Sequence, residues 1–223
     1  LNSTYFNKPL PSILIDFFDV HKYRNLQEYL NVQYYFSIIS DTFSFLLTFG
    51  VITFGILGIL DNFLLSLQLS PVVHALLFFG ILAIASDILT TPFSYYATFN
   101  IEERFGFNKT TRRTFFLDKI KGWLIAAIIG SILISSMVWF YEKTGPYFWL
   151  YAWILLTLFM LLITIFYSDI IVPLFNKQKP LEEGELRTAI EAFSNNVGFT
   201  LDNIYVIDGS KRSSKANAYF SGL

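Results

Sequence analysis

Apolar positions fall into four long blocks separated by polar segments. The blocks run from about residue 35 to 60, 72 to 91, 122 to 141 and 147 to 167, and the last stays apolar to Phe175. Each reaches the roughly 20 residues that a helix needs to cross a bilayer. Lipid offers no partner for an exposed peptide group, so each block is expected to form a helix. Pro92 is expected to end the second, because proline lacks the N–H that a helix interior requires. After 175 the pattern changes. Leu186, Ala189, Ile190, Phe193 and Val197 recur at helical spacing between Glu182 and Val197, with Gly198 as a C-cap. Ile204 to Ile207 reads as a strand, closed by the turn pair Asp208-Gly209. Ser210 to Lys215 reads as a polar loop, and Ala216 to Ser221 as a second strand. The expected fold is a polytopic α-helical membrane protein with four spans in 1–175, followed by the beginning of an α+β domain in 176–223, cut short at an unpaired strand.

Composition agrees with the pattern. The chain is 54% hydrophobic and 15% charged, against about 25% charged in soluble domains. A net charge of −1 leaves no basic surface of the kind nucleic acid requires. The absence of cysteine removes disulfides, thiolate metal sites and cysteine nucleophiles together. The chain starts at Leu1 rather than Met, which is read as missing upstream sequence.

Charge then sets orientation. Segment 1–34 holds Lys8, Lys22 and Arg24; loop 92–121 holds Arg104, Lys109, Arg112, Arg113, Lys119 and Lys121; the tail holds Lys177, Lys179, Arg187, Lys211, Arg212 and Lys215. Loop 61–71 has no basic residue, and loop 142–146 has only Lys143. Alternate segments share a side, so fifteen of the sixteen basic residues fall on one face. The positive-inside rule makes that face cytoplasmic. Asp41, Asp87 and Asp169 then all sit at cytoplasmic span ends. Intramembrane carboxylates mark wet cavities, although each would also be content at the interface.

Little catalytic chemistry is legible from residue type alone. His21 and His74 are predicted on opposite membrane faces, and His74 reads as an interfacial residue. There is no His-Glu-x-x-His, no G-x-S-x-G and no P-loop. Glu102-Glu103 and Glu182-Glu183 read as solvated helix-end residues.

Three stretches carry a resemblance. They are Asn100-Ile101-Glu102-Glu103-Arg104-Phe105-Gly106-Phe107-Asn108-Lys109-Thr110; Asp169-Ile170-Ile171-Val172-Pro173-Leu174-Phe175-Asn176-Lys177, followed by Pro180 to Arg187; and the string from Ile204 to Leu223. In order and spacing the chain resembles the type I CAAX prenyl endopeptidases, membrane-integral zinc metalloproteases. It departs at Lys215, where that family usually has His.

The resemblance implies seven spans around an internal chamber, with this chain starting after the first span and stopping before the zinc helix. It implies an enzyme of the endoplasmic reticulum or the bacterial inner membrane that cleaves prenylated CAAX proteins or membrane-associated peptides. Zinc ligands and the catalytic base would lie outside this chain. The partners implied are the lipid bilayer and an extended peptide. That peptide would add to an edge strand at Asn217, Ala218 and Tyr219, with Arg212 or Lys211 near a substrate carboxylate. A non-catalytic scaffold or transporter that keeps the domain without a zinc site is the rival reading. The downstream sequence separates the two.

Overall fold

The computed structural model describes residues 8–11, 16, 19–201, 203–215 and 218–220. Two compact units, Leu1–Gly145 and Pro146–Leu223, are described in turn.

Helix α1 spans Val20–Thr53. Asp19 caps its start by accepting from the backbone N–H of His21 at 2.7 Å and of Lys22 at 3.3 Å. The helix ends where Gly55 takes φ +65°, a left-handed turn that glycine enters without a Cβ penalty. Helix α2, Ile56–Ser66, follows directly. The expected single block 35–60 is therefore two helices. Hydropathy continues across Phe54-Gly55, and the break is made by backbone conformation, which an apolar run conceals.

Helix α3 spans Pro71–Tyr96, with Ser70 at the N-cap and Pro71 in the first turn. It does not stop at Pro92. Hydroxyls around the proline bond back to the preceding turn: Thr90 Oγ1 donates to the Ser86 carbonyl at 2.9 Å, Thr91 Oγ1 to Asp87 at 2.6 Å and Ser94 Oγ to Thr90 at 3.2 Å. The chain then winds through a π-helical turn, Ala97–Glu102. Hydroxyls and local π adjustments are the means by which membrane helices tolerate an interior proline. Helix α4, Arg112–Thr144, begins at Thr111, whose hydroxyl accepts from the Thr114 N–H at 3.1 Å.

Aromatic contacts give the packing of this unit. Phe36 on α1 stacks with Tyr96 at 5.3 Å, and Phe43 meets Phe93 at 4.8 Å. Tyr95 and Phe99 meet Phe115 on α4 at 5.7 and 5.6 Å. Helices α1 and α3 are thus antiparallel, and so are α3 and α4. The start of α1, the end of α3 and the start of α4 share one end, as the alternation of charged segments requires.

The second unit opens with α5, Phe148–Phe166, then a π-helical turn Tyr167–Ile171 and a short α6, Val172–Phe175. Pro173 removes the helical donor to the carbonyl of Asp169, and the ladder is widened just there. Strand β1, Gln178–Pro180, pairs antiparallel with β2, Tyr205–Ile207, in the register Lys179 to Val206. Helix α7, Glu185–Asn196, lies between them, and Gly198 at φ +72° closes it. The predicted helix and first strand are present. β1 is unforeseen, since a Gln-Lys-Pro triplet shows no alternation. The second predicted strand, 216–221, is not formed at 218–220, which has no ladder partner; 216, 217 and 221 lie outside the described residues.

Among the described residues, three continuous helical stretches are long and apolar enough to cross a membrane: Val20–Thr53, Pro71–Glu102 and Arg112–Phe175. The last contains both α4 and α5, divided by a 3₁₀ turn at Gly145–Tyr147, so it accounts for two of the four predicted spans. Phe54, Trp149 and Met160 are 76, 66 and 68% exposed. In water such surface would be a liability; in lipid it is the expected outer face.

Candidate functional site

The segment 97–110 is built as a clip on the start of α1. Gly106 at φ +75° turns the chain, and the N–H groups of Phe107 and Asn108 both donate to the Glu102 carbonyl, at 2.8 and 3.1 Å. Asn108 holds the turn closed, its Oδ1 accepting from the Thr110 N–H at 2.7 Å. Tyr29, only 5% exposed, lies edge-on to Phe105 at 5.2 Å and to Phe107 at 4.9 Å, and its hydroxyl donates to Glu102 Oε1. One residue earlier, Glu28 accepts from Arg104 Nη2 at 2.5 Å. Glu102 was expected to be a solvated helix-end carboxylate. It is half-buried and carries the cross-link to α1 instead. Glu103, its neighbour, stays exposed and accepts from Asn108 Nδ2 at 3.3 Å.

A second cross-link joins α3 and α4. Lys119 Nζ donates to both oxygens of Asp87, at 2.8 and 3.0 Å, and Trp123 Nε1 donates to Oδ2 at 3.0 Å. Asp87 is thus committed to an ion pair within the helix packing. At the opposite end of this unit, His74 Nε2 lies 2.8 Å from Asp61 Oδ1. His74 is therefore a paired side chain bracing α2 on α3, which accounts for it better than hydration does. Asp41 is exposed on α1.

In the second unit Asp169 is exposed and lines an open depression of about 450 Å³ with Pro173, Asn176, Lys177, Lys179 and Tyr205. Arg212 points at the stretch that carries Asp169: Nη1 donates to Asn176 Oδ1 at 2.6 Å and Nη2 to the Phe175 carbonyl at 2.8 Å. It ties the 204–215 segment to the end of α6. Asp208 is a second tie, accepting from the Lys177 N–H at 2.7 Å and ion-paired with Lys211 Nζ at 2.5 Å. The bond from Lys211 and that from the Lys177 backbone hold its carboxyl below the usual carboxylate range, against the opposing effect of burial. Lys211 is thereby paired within the turn. Lys215 is exposed, and its N–H donates to Ser213 Oγ at 3.1 Å. Of the expected substrate strand, Ala218 and Tyr219 are exposed and irregular, and Asn217 lies outside the described residues.

Among the described residues no group of three His, Asp or Glu side chains converges as a metal site. A catalytic zinc takes three protein ligands. His21 and His74 sit at opposite ends of the first unit, so the donors described here do not fit that ion.

Sequence reasoning missed the cross-links themselves. Tyr29 and Glu102 are 73 residues apart, and Asp87 and Lys119 are 32 apart. The available signal was the density of charge and aromatic residues in 100–110.

Residues 2–177 match the family model described as the CAAX prenyl protease N-terminal region with five membrane helices. The chain is 34% identical over 221 residues to a CAAX prenyl protease 1 homolog of Arabidopsis thaliana, covering 96% of this chain and 52% of that protein. It is 35% identical to CAAX prenyl protease 1 of Saccharomyces cerevisiae, covering 96% of this chain and 49% of that one. The crystal structure of S. mikatae Ste24p superposes with a TM-score of 0.89 at 35% identity, covering 99% of this chain and 53% of that one. The chain thus spans about half the length of the curated relatives it matches.

Proposed function

The chain belongs to the CAAX prenyl protease family, through that family's N-terminal membrane region, and from this premise we propose that it is the membrane portion of a zinc metalloendopeptidase acting on prenylated CAAX proteins or membrane-associated peptides. The observation that carries the reading is the match over 2–177, which takes in the three helical stretches that, among the described residues, are long and apolar enough to cross a membrane. The names of the relatives, CAAX prenyl protease 1 and its homologs, supply the substrate class. The two π-helical turns add support. They run into the starts of the motif stretches 100–110 and 169–177, and such turns are frequent at functional sites.

In this reading residues 1–175 form the membrane region and 176–223 begin a cytoplasmic protease domain. The zinc belongs to the whole protein, with ligands outside this chain, and no residue described here is assigned to it. Asn217, Ala218 and Tyr219 offer their backbone to an extended substrate, and the Asn217 amide both donates to and accepts from a substrate peptide group. The geometry of Arg212 favours a positioning role, holding the approach to that segment against α6, over a direct contact with substrate carboxylate.

The experiment is cleavage of a farnesylated CAAX peptide by the full-length protein and its Asn217→Ala variant. The variant is expected to lose roughly 1–3 kcal/mol of transition-state binding, about a five- to 150-fold fall in kcat/KM, with zinc content unchanged. Unaltered kcat/KM in a folded variant would remove Asn217 from the site. No cleavage by the wild-type protein would contradict the function.

A further inference from the structure

Helix α4 has two different sides. Phe115 and Lys119, four residues apart, face α3, where they meet Tyr95, Phe99 and Asp87. The other side carries Leu117, Ile120 and Leu124, 45, 48 and 60% exposed, with Phe116, 49% exposed, at the edge between the two sides, its ring 6.3 Å from that of Tyr95. Their three- and four-residue spacing makes one stripe along the helix. Arg113 continues that stripe at its polar end, one turn before Leu117, and Arg112, one turn before Phe116, stands beside it at the edge of the stripe. Both arginines are exposed, as is Lys109 three residues before the helix. Among the described residues none of the three has an ion-pair or hydrogen-bond partner.

The spacing decides what such cations meet. Arg113 to Leu124 is about 16 Å of helix rise, close to half of a hydrocarbon core. With the exposed apolar stripe in acyl chains, guanidinium groups at its end reach the layer of headgroup phosphates. A phosphate oxygen pair fits the guanidinium fork, and the aliphatic stems follow the apolar stripe. Basic clusters just outside a span attract anionic lipid for the same reason.

We propose that Arg112, Arg113 and Lys109 form a docking site for the phosphate headgroups of anionic phospholipids at the polar end of α4. The site requires only that α4 crosses the bilayer and is independent of the protease reading.

The test uses the full-length protein in neutral detergent, titrated separately with phosphatidylglycerol, phosphatidylcholine and inorganic phosphate, with retained lipid read by native mass spectrometry. The wild-type protein is expected to retain phosphatidylglycerol in preference to phosphatidylcholine, and inorganic phosphate is expected not to displace it. An Arg112→Gln/Arg113→Gln double variant is expected to retain the anionic lipid at least about tenfold more weakly, from roughly one charge interaction lost per arginine. Arg112→Lys/Arg113→Lys is expected to keep most of the retention, and the single Arg113→Gln to fall between. Equal retention of the two lipids by the wild-type protein would overturn the proposal. So would undiminished retention by either Gln variant, or displacement by inorganic phosphate.

Discussion

Lys119 on α4 places its ammonium between the two carboxylate oxygens of Asp87 on α3, at 2.8 and 3.0 Å. Their side chains are 19 and 34% exposed, so the pair is shielded without being sealed. Removing one partner leaves a charge among apolar helices, which costs several kcal/mol in a fully buried pair and less where water reaches it. Lys119→Gln alone, like Asp87→Asn alone, is therefore expected to destabilise the protein by about 2 kcal/mol. Asp87→Asn/Lys119→Gln, which leaves no unpaired charge, is expected to cost less than either single change. Thermal unfolding in detergent of the four proteins closes the cycle. Additive single effects would mean that the pair is not coupled.

Orientation is the next expectation. The first unit brings the Lys22 and Arg24 end of α1 and the 103–111 loop together, with the lysine- and arginine-free α2–α3 corner at the other end. A cysteine replacing Ser66 is expected to react with an impermeant thiol reagent on sealed, right-side-out cells, and a cysteine at Asn195 is not. The native chain has no cysteine to interfere. Asn195 is chosen over its neighbour because Ser194 is 6% exposed and donates to the Phe199 carbonyl. Reaction at Asn195 with none at Ser66 would reverse the topology.

Acid should loosen the tail through Asp208. Its folded pKa lies below the ordinary value of 3.8, chiefly because of the Lys211 bond. A carboxyl depressed on folding stabilises the native state above its unfolded pKa and loses that contribution as pH falls through the folded one. The wild-type β1–β2 pairing is expected to hold to about pH 4 and weaken below it. Asp208→Asn is expected to be weaker at neutral pH and flatter with acid. Amide exchange at Lys177 and Asp208, the two N–H groups of this junction, reads the difference. Identical acid profiles would remove Asp208 from the account.

The membrane class was legible because lipid makes one demand on every span, a long apolar run with its own hydrogen bonds. The pairing of side chains across those spans was not. Hydropathy carries no information on which carboxylate meets which cation, so Asp87 read as one of three acids at a common depth rather than as the partner of Lys119. Pro92 misled for a local reason. Proline signals a stop in water, yet Thr90, Thr91 and Ser94 bond back around it and the helix runs on. In α7 the spacing of Leu186, Phe193 and Val197 was right, but all three are exposed, at 63, 68 and 59%. Periodicity finds a helix face without saying what covers it. The assignment of Asn217, Ala218 and Tyr219 to a substrate strand is a proposal that rests on resemblance alone, through the Asn-Ala-Tyr order.

The proposed function makes this chain the membrane part of a zinc peptidase whose metal is held elsewhere. It is tested most directly by measuring zinc and farnesylated-peptide cleavage in the full-length protein beside the 223-residue chain. The account predicts about one zinc per full-length chain, as expected of a single catalytic site, and cleavage that a chelator abolishes and zinc restores. It predicts neither stoichiometric zinc nor cleavage in the 223-residue chain. A full-length protein that folds, holds no zinc and leaves the peptide intact would contradict it.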